Sequence, residues 1–479
     1  MPSAPSAGSA ALSIALAGSS KHIFQAGDTI IGKVVRRQHI VAPECQVTIR
    51  LFGRSKTKIV VTRSNGSGGT RHDTYRSRYN FFGHDAPDTA QLIFSGPLHV
   101  AADQTDPAEF PFAITIPMHP SAQLSREAER NSFLPTDPAS VAMQSLPPSY
   151  SSYHHHKEGY VEYWLEARLS PGAGTNNKTV NAAQSTQPII LGAPPTMEPV
   201  PKMVKTAASQ KHSITSYKLV PGMEEAELTL KQKSKQFFHT SSVPSLSYAI
   251  HMGLPVVMQL QPHDTIPLTL RLAPIADGTS DDVRKTTQKA TINYINVHLK
   301  NYTLIRAGEH FLGGPRENSM SDTVDLHFEK ALKLLPAPMV VDIDPDGERI
   351  DLGAMFDLRL SETGLFSGNE RLSNNWFGPP ITPSFTTYNM TANHALKVTI
   401  SVTVCGKEHT DTFKFDSRIM APPAMPPPAQ AGPSNTAYSE SGPAPPSFQE
   451  AMKEADGEGD RPPDYKPGEG GPVVVEGKA

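Results

Sequence analysis

Leu396, Val398, Ile400, Val402 and Val404 occupy every second position of one unbroken stretch. A period of two places such side chains on one face of an extended strand and leaves the other face to polar or small residues. Shorter versions of the pattern recur at 12–16, 47–51, 112–116, 256–260 and 266–272, separated by clusters of Gly, Pro, Asn and Asp. Val161, Tyr163 and Leu165 alternate with Glu162, Trp164 and Glu166, which predicts another half-buried strand. Helical spacing is scarce. Many short alternating runs broken by turn residues predict an all-β chain made of sandwiches. Residues 62–73, with Gly66, Gly68 and Gly69, and the polar, proline-punctuated residues 121–152 read as long surface loops. Within the second, 125–130 reads as one helical turn. Residues 361–386, which hold Trp376, Gly378, Pro379 and Pro380, read as a loop or insertion.

A chain of 479 residues is long enough for two or three domains with sizeable cores. The prolines of 194–206 suggest a linker, and the predicted organisation is a sandwich over 1–195, a linker over 196–212 and a second sandwich over 213–420. Residues 421–479 differ sharply: 13 of the 45 prolines and nine acids against four bases lie there, with almost no aliphatic pattern before Val473. Such a composition buries too little apolar surface to offset its ordering entropy, so a disordered tail with polyproline II character is expected. Cys45 and Cys405, each inside an apolar alternation, are expected to be reduced core thiols of a cytosolic protein. No segment approaches the roughly 20 apolar residues of a membrane span, and no basic region precedes the short apolar run near the start, so neither an anchor nor a secretory signal is expected. The sequons at Asn65, Asn177, Asn301 and Asn389 then read as chance matches. A net charge of −3 gives no sign of nucleic-acid binding.

The tail owes its function to short motifs. Pro462-Pro463-Asp464-Tyr465 is a WW-domain ligand in form: two prolines in polyproline II lie in an aromatic groove, and the tyrosine ring fills a second pocket with its hydroxyl still solvated. Pro445-Pro446-Ser447-Phe448 keeps the spacing without the hydroxyl and is expected to bind more weakly. Pro147-Pro148-Ser149-Tyr150 matches in letters but precedes a predicted strand, where a fixed turn is the expected role. In the first half, Arg36, Arg37, Arg54, Lys56 and Lys58 stand in a stretch rich in cations. They form either a solvated face with ordinary salt bridges or a site for acidic or phosphorylated cargo tails or anionic headgroups. His154, His155 and His156 lack companions at zinc spacing and read as a loop rather than a metal site. No nucleophile elbow, phosphate loop, HExxH or GxGxxG occurs, so neither enzymatic activity nor a cofactor is expected.

Several stretches, taken in order, resemble the arrestin family. They include Phe24-Gln25-Ala26-Gly27-Asp28-Thr29-Ile30-Ile31-Gly32, Phe110-Pro111-Phe112 with Ile116-Pro117, and Leu146-Pro147-Pro148-Ser149-Tyr150. Gly159-Tyr160-Val161-Glu162-Tyr163-Trp164-Leu165-Glu166-Ala167 follows, then Leu254-Pro255-Val256 with Ile266-Pro267-Leu268, and Tyr388-Asn389-Met390 leading to Val404-Cys405-Gly406-Lys407. With the tail motif, the chain is similar to the α-arrestin branch. That resemblance implies two tandem arrestin-like, immunoglobulin-type β-sandwiches. It further implies an adaptor whose tail recruits WW domains of a HECT-type ubiquitin ligase to the cytosolic regions of membrane transporters or receptors. Ubiquitination, endocytosis and sorting of the cargo follow, with contacts to ubiquitin and peripheral association at the plasma membrane and endosomes from a cytoplasmic pool. The alternatives are a trafficking or coat subunit, like that of the retromer coat, in which the tail motif is incidental, and a signalling arrestin of an ambient-pH receptor pathway. The phenylalanine at 448 leaves one full motif in the tail, which weighs against bivalent ligase binding.

Overall fold

Strands take up 60% of the described residues and helices 8%, so the fold is all-β. The computed structural model describes residues 11–424 apart from 19–21, 65–68, 85–88, 103–105, 122–123, 125–131, 172–182, 197–203, 225, 239–241, 309–314, 348 and 374–379. The whole of 425–479 lies outside the described residues, and with it the expected disordered tail.

In the first half, strands Ser13–Leu16, Thr29–Arg36 and Ala108–Thr115 form a three-stranded sheet with Thr29–Arg36 in the middle. A second sheet of seven strands runs in the order Ile23–Phe24, Ala183–Leu191, Lys157–Pro171, Ile40–Ser64, Thr70–Phe82. Ala90–Val100 joins it on Ile40–Ser64 and Tyr150–His154 on Lys157–Pro171. The alternation explains the packing: Val47, Ile49 and Leu51 are all fully buried, and they share one core with Ile30 and Val34 from the three-stranded sheet. Two faces of period-two strands packed around a common interior make a sandwich.

In the second half, one curled sheet of eleven strands follows the path Val204–Thr215, Ser245–Pro255, Thr269–Ile275, Met339–Ile343, Gln288–Ala307, Met390–Val404, Lys407–Met420, Val257–Gln259. The five residues from Leu396 to Val404 that define the period-two signal are at most 3% exposed and lie at the heart of the second core. Gln288–Ala307 changes parity between Ile292 and Ile295, and a β-bulge between Ile292 and Tyr294 restores the inward face. Leu358–Ser361, Gly364–Ser367 and Glu370–Arg371 form a separate small antiparallel sheet.

Several expectations need correction. Residues 62–73 are not mainly loop: Ile40–Ser64 and Thr70–Phe82 pair out to Ser64 opposite Thr70. Polar strands wet on both faces carry no alternation, so the sequence hides them. Residues 361–386 contain the two strands Gly364–Ser367 and Glu370–Arg371. The helical turn expected at 125–130 falls outside the described residues, while Pro138–Val141 forms a turn that Asp137 caps through Ser140 N–H at 2.9 Å. The linker over 196–212 overlaps strand Val204–Thr215, which pairs with Ser245–Pro255. Cys45 is buried in its strand, but Cys405 sits in the two-residue turn before Lys407 with φ 48°, and both thiols are free. Trp164 faces away from Tyr163 yet is only 6% exposed, because Phe52 stacks on it at 5.0 Å.

Candidate functional site

Arg54, Lys56 and Lys58 take alternate positions on strand Ile40–Ser64 and so share a face. The register sets their neighbours. On one side Arg54 lies opposite Glu162 and Lys58 opposite Glu158; on the other, Lys56 lies opposite Arg78 and Lys58 opposite Arg76. The sheet thus gathers five cations around two carboxylates. Arg54 Nε approaches Glu162 Oε1 to 2.5 Å while its guanidinium lies 4.4 Å above the Trp164 ring. Lys56 Nζ reaches the same carboxylate at 3.8 Å, and Lys58 Nζ meets Glu158 at 2.9 Å. Burial, followed by the neighbouring Arg54 charge, holds the Lys56 ammonium below its ordinary pKa. The face is a paired, net-positive strip rather than a row of bare cations, and it can receive an anionic segment by exchanging partners.

The structure does not bring Arg36 and Arg37 to that strip. They belong to the end of Thr29–Arg36 in the other sheet. Arg36 is 7% exposed and spends its guanidinium on the carbonyls of Gln38, at 3.0 Å, and His39, at 3.3 Å. It braces a turn and offers no anion site; only Arg37 is exposed.

Leu146, Pro147 and Pro148 are buried, and the Pro147 carbonyl accepts from Tyr163 Oη at 2.7 Å. Tyr150 Oη is held by Thr303 at 2.6 Å and by Asn301 Nδ2 at 2.9 Å. This segment is a strut between the two halves and also lines a groove of about 610 Å³ with Phe385 and Arg418. Asn301 is occupied in that contact, and Asn389 is fully buried and donates to Ser77 O at 3.4 Å, so neither sequon has room for a sugar. Pro445, Pro446, Phe448, Pro462, Pro463 and Tyr465 lie outside the described residues.

His155 and His156 form the turn of a hairpin, His156 with φ 66°, and His154 Nε2 stands 3.1 Å from Asp322 Oδ1. A grouping not read from the sequence is Asp325-x-His327-x-Glu329: between the end of strand Arg316–Asp325 and the start of helix Glu329–Lys333, with His327 at φ 54°, the chain brings three ligand-type side chains together while Leu326 and Phe328 anchor in the core. The three offer atoms within 4.8 Å of one another. Each is already engaged: Asp325 Oδ1 accepts from Asn296 Nδ2 and the His327 N–H, and His327 Nδ1 lies 3.2 Å from Glu329 Oε1. Also missed was helix Leu230–Phe237, signalled by a capping box of Thr229 with Gln232. No helix among the described residues is long and apolar enough to cross a membrane.

No protein-family model matches the chain, and no curated protein matches it.

Proposed function

We propose that the chain is an adaptor of the α-arrestin type that recruits a WW-domain HECT-type ubiquitin ligase to membrane transporters or receptors, promoting their ubiquitination, endocytosis and sorting. The observation that carries the reading is Pro462-Pro463-Asp464-Tyr465 in a proline-rich, acidic segment beyond an all-β body. Supporting it, the body's own copy of the motif is committed to packing, since Pro147 and Pro148 are buried and the Tyr150 hydroxyl is bonded twice. Ligase binding then falls to Tyr465, with Phe448 as the weaker copy. The strip of Arg54, Lys56 and Lys58 with Arg76 and Arg78 is the surface best suited to an acidic cargo segment, and Arg36 drops out of it.

A peptide spanning Arg461 to Pro467 is expected to bind ligase WW domains with micromolar affinity, roughly −8 kcal/mol. In the full chain, Tyr465→Ala should abolish co-purification of the ligase and cargo ubiquitination. Unchanged co-purification would sink the adaptor mechanism and favour a coat or trafficking subunit in which the tail motif is incidental.

A further inference from the structure

On a helix that advances 100° per residue, Leu230, Ser234 and Phe237 fall on one side of Leu230–Phe237, with Phe238 continuing that side, and Gln232 and Gln236 fall opposite. A surface helix ordinarily turns its apolar side inward. This one is reversed. Gln232, Lys235 and Gln236 are its half-buried residues: Gln232 Oε1 accepts from Thr229 N–H at 2.9 Å and Gln236 Oε1 from Tyr217 N–H at 3.4 Å. Leu230 is 86% exposed, Phe237 78% and Phe238 70%, and the two phenylalanine rings meet edge to face at 5.3 Å. Lys231 and Lys233, both exposed, flank the apolar strip on its two sides, and no acidic residue occurs from Leu230 to Phe238.

We propose that this helix is a membrane-contact element that lays Leu230, Phe237 and Phe238 into the headgroup–acyl boundary of an anionic bilayer while Lys231 and Lys233 engage lipid phosphates. The chemistry fits that occupant. A shallow strip of three apolar side chains bordered by cations is the form of an interfacial helix, whose rings enter the boundary layer and whose lysine stems reach back to the headgroups. The position fits as well, because the helix lies in the connection between strands Val204–Thr215 and Ser245–Pro255, at one end of the second sheet. The proposal does not rest on the adaptor reading.

The full chain is mixed with sedimentable vesicles of phosphatidylcholine alone or with about 30% phosphatidylserine, a surface that attracts basic segments. Wild type should sediment with the anionic vesicles and not with the neutral ones. Phe237→Ser with Phe238→Ser should lower the bound fraction at least about fivefold, and so should Lys231→Glu with Lys233→Glu, both without a change in melting temperature. Tyr465→Ala should bind vesicles as wild type does, whatever its effect on the ligase. The proposal is overturned if wild type stays in the supernatant, as it would if the helix served a protein groove. It is also overturned if both helix variants sediment like wild type while Lys56→Glu with Lys58→Glu does not, which would move the contact to the basic strip. A large fall in melting temperature for the phenylalanine variant would likewise overturn it, by placing those rings against the protein.

Discussion

His394 is 4% exposed, in the middle of the second-half sheet between Asn301 and Ser417, and its Nδ1 lies 2.9 Å from Ser384 Oγ. Burial, with no charged group contributing, pushes its pKa down to about 4. The unfolded chain binds this proton near pH 6.5, whereas the folded chain resists it until about pH 4. Stability from this group is therefore complete above pH 6.5, falls as pH drops through the window between the two values, and levels off below the lower one. The total is about 3 kcal/mol. Urea unfolding of His394→Gln should show a shallower loss of stability between those limits than wild type. Parallel curves would mean that the histidine is not held neutral. Single residues were legible where alternation spoke for them, as at Val398 and Ile400, which are fully buried. Arg36 and Trp164 were not, because what hides them comes from elsewhere: backbone carbonyls in a turn and the ring of Phe52 on a neighbouring strand.

Turns decide register, and the turn between Met390–Val404 and Lys407–Met420 consists of Cys405 and Gly406 alone, with φ 48° and 76°. Two consecutive left-handed residues make the type I′ geometry that matches strand twist, and glycine is the residue that adopts it without strain. A Cβ at Gly406 meets no atom within 4 Å, so its cost is conformational only. Gly406→Ala should lower stability by about 1 kcal/mol in chemical denaturation; no change would indicate that the turn relaxes to another form. Alternation marked this hairpin's first strand but put Cys405 inside it, since nothing in the pattern marks where Val404 ends the strand, and Lys407–Met420 was not read as a strand. The bulge near Ile292 and the inverted helix went unread, although the one leaves a break in parity and the other a Thr229–Gln232 cap. Polar hairpin arms such as Thr70–Phe82 begin with residues wet on both faces, and there the pattern falls silent.

Residues up to Ala424 form one compact unit in which the two halves share an interior. Ile305, Ala307, Met320, Tyr388 and Met390 come from the second half yet belong to the first core, where Tyr388 stacks on Tyr79 at 5.2 Å. Around them runs a polar seam. Thr57 Oγ1 donates to the Arg306 carbonyl, Phe133 N–H to Tyr388 O at 2.7 Å, and Arg306 lies 3.8 Å over the Phe133 ring. Thr196 binds the backbone at Ala421 and Pro422, tying the start of the expected linker to the end of the last strand. None of this was legible: Thr57 and Ser77 are polar residues of ordinary strands, and they are buried where they meet Arg306 and Asn389, hundreds of positions away. A seam with this much shared core couples the halves, since opening it exposes aromatic rings and strands buried polar groups together. Calorimetry of the full chain should therefore give one transition, with calorimetric and van't Hoff enthalpies in agreement. Residues 1–195 expressed alone, with Tyr79 and Phe81 uncovered, should aggregate or unfold at a lower temperature. Two resolved transitions, or an isolated first half that melts where the full chain does, would show instead that the sandwiches stand independently and that the seam contributes contact without coupling.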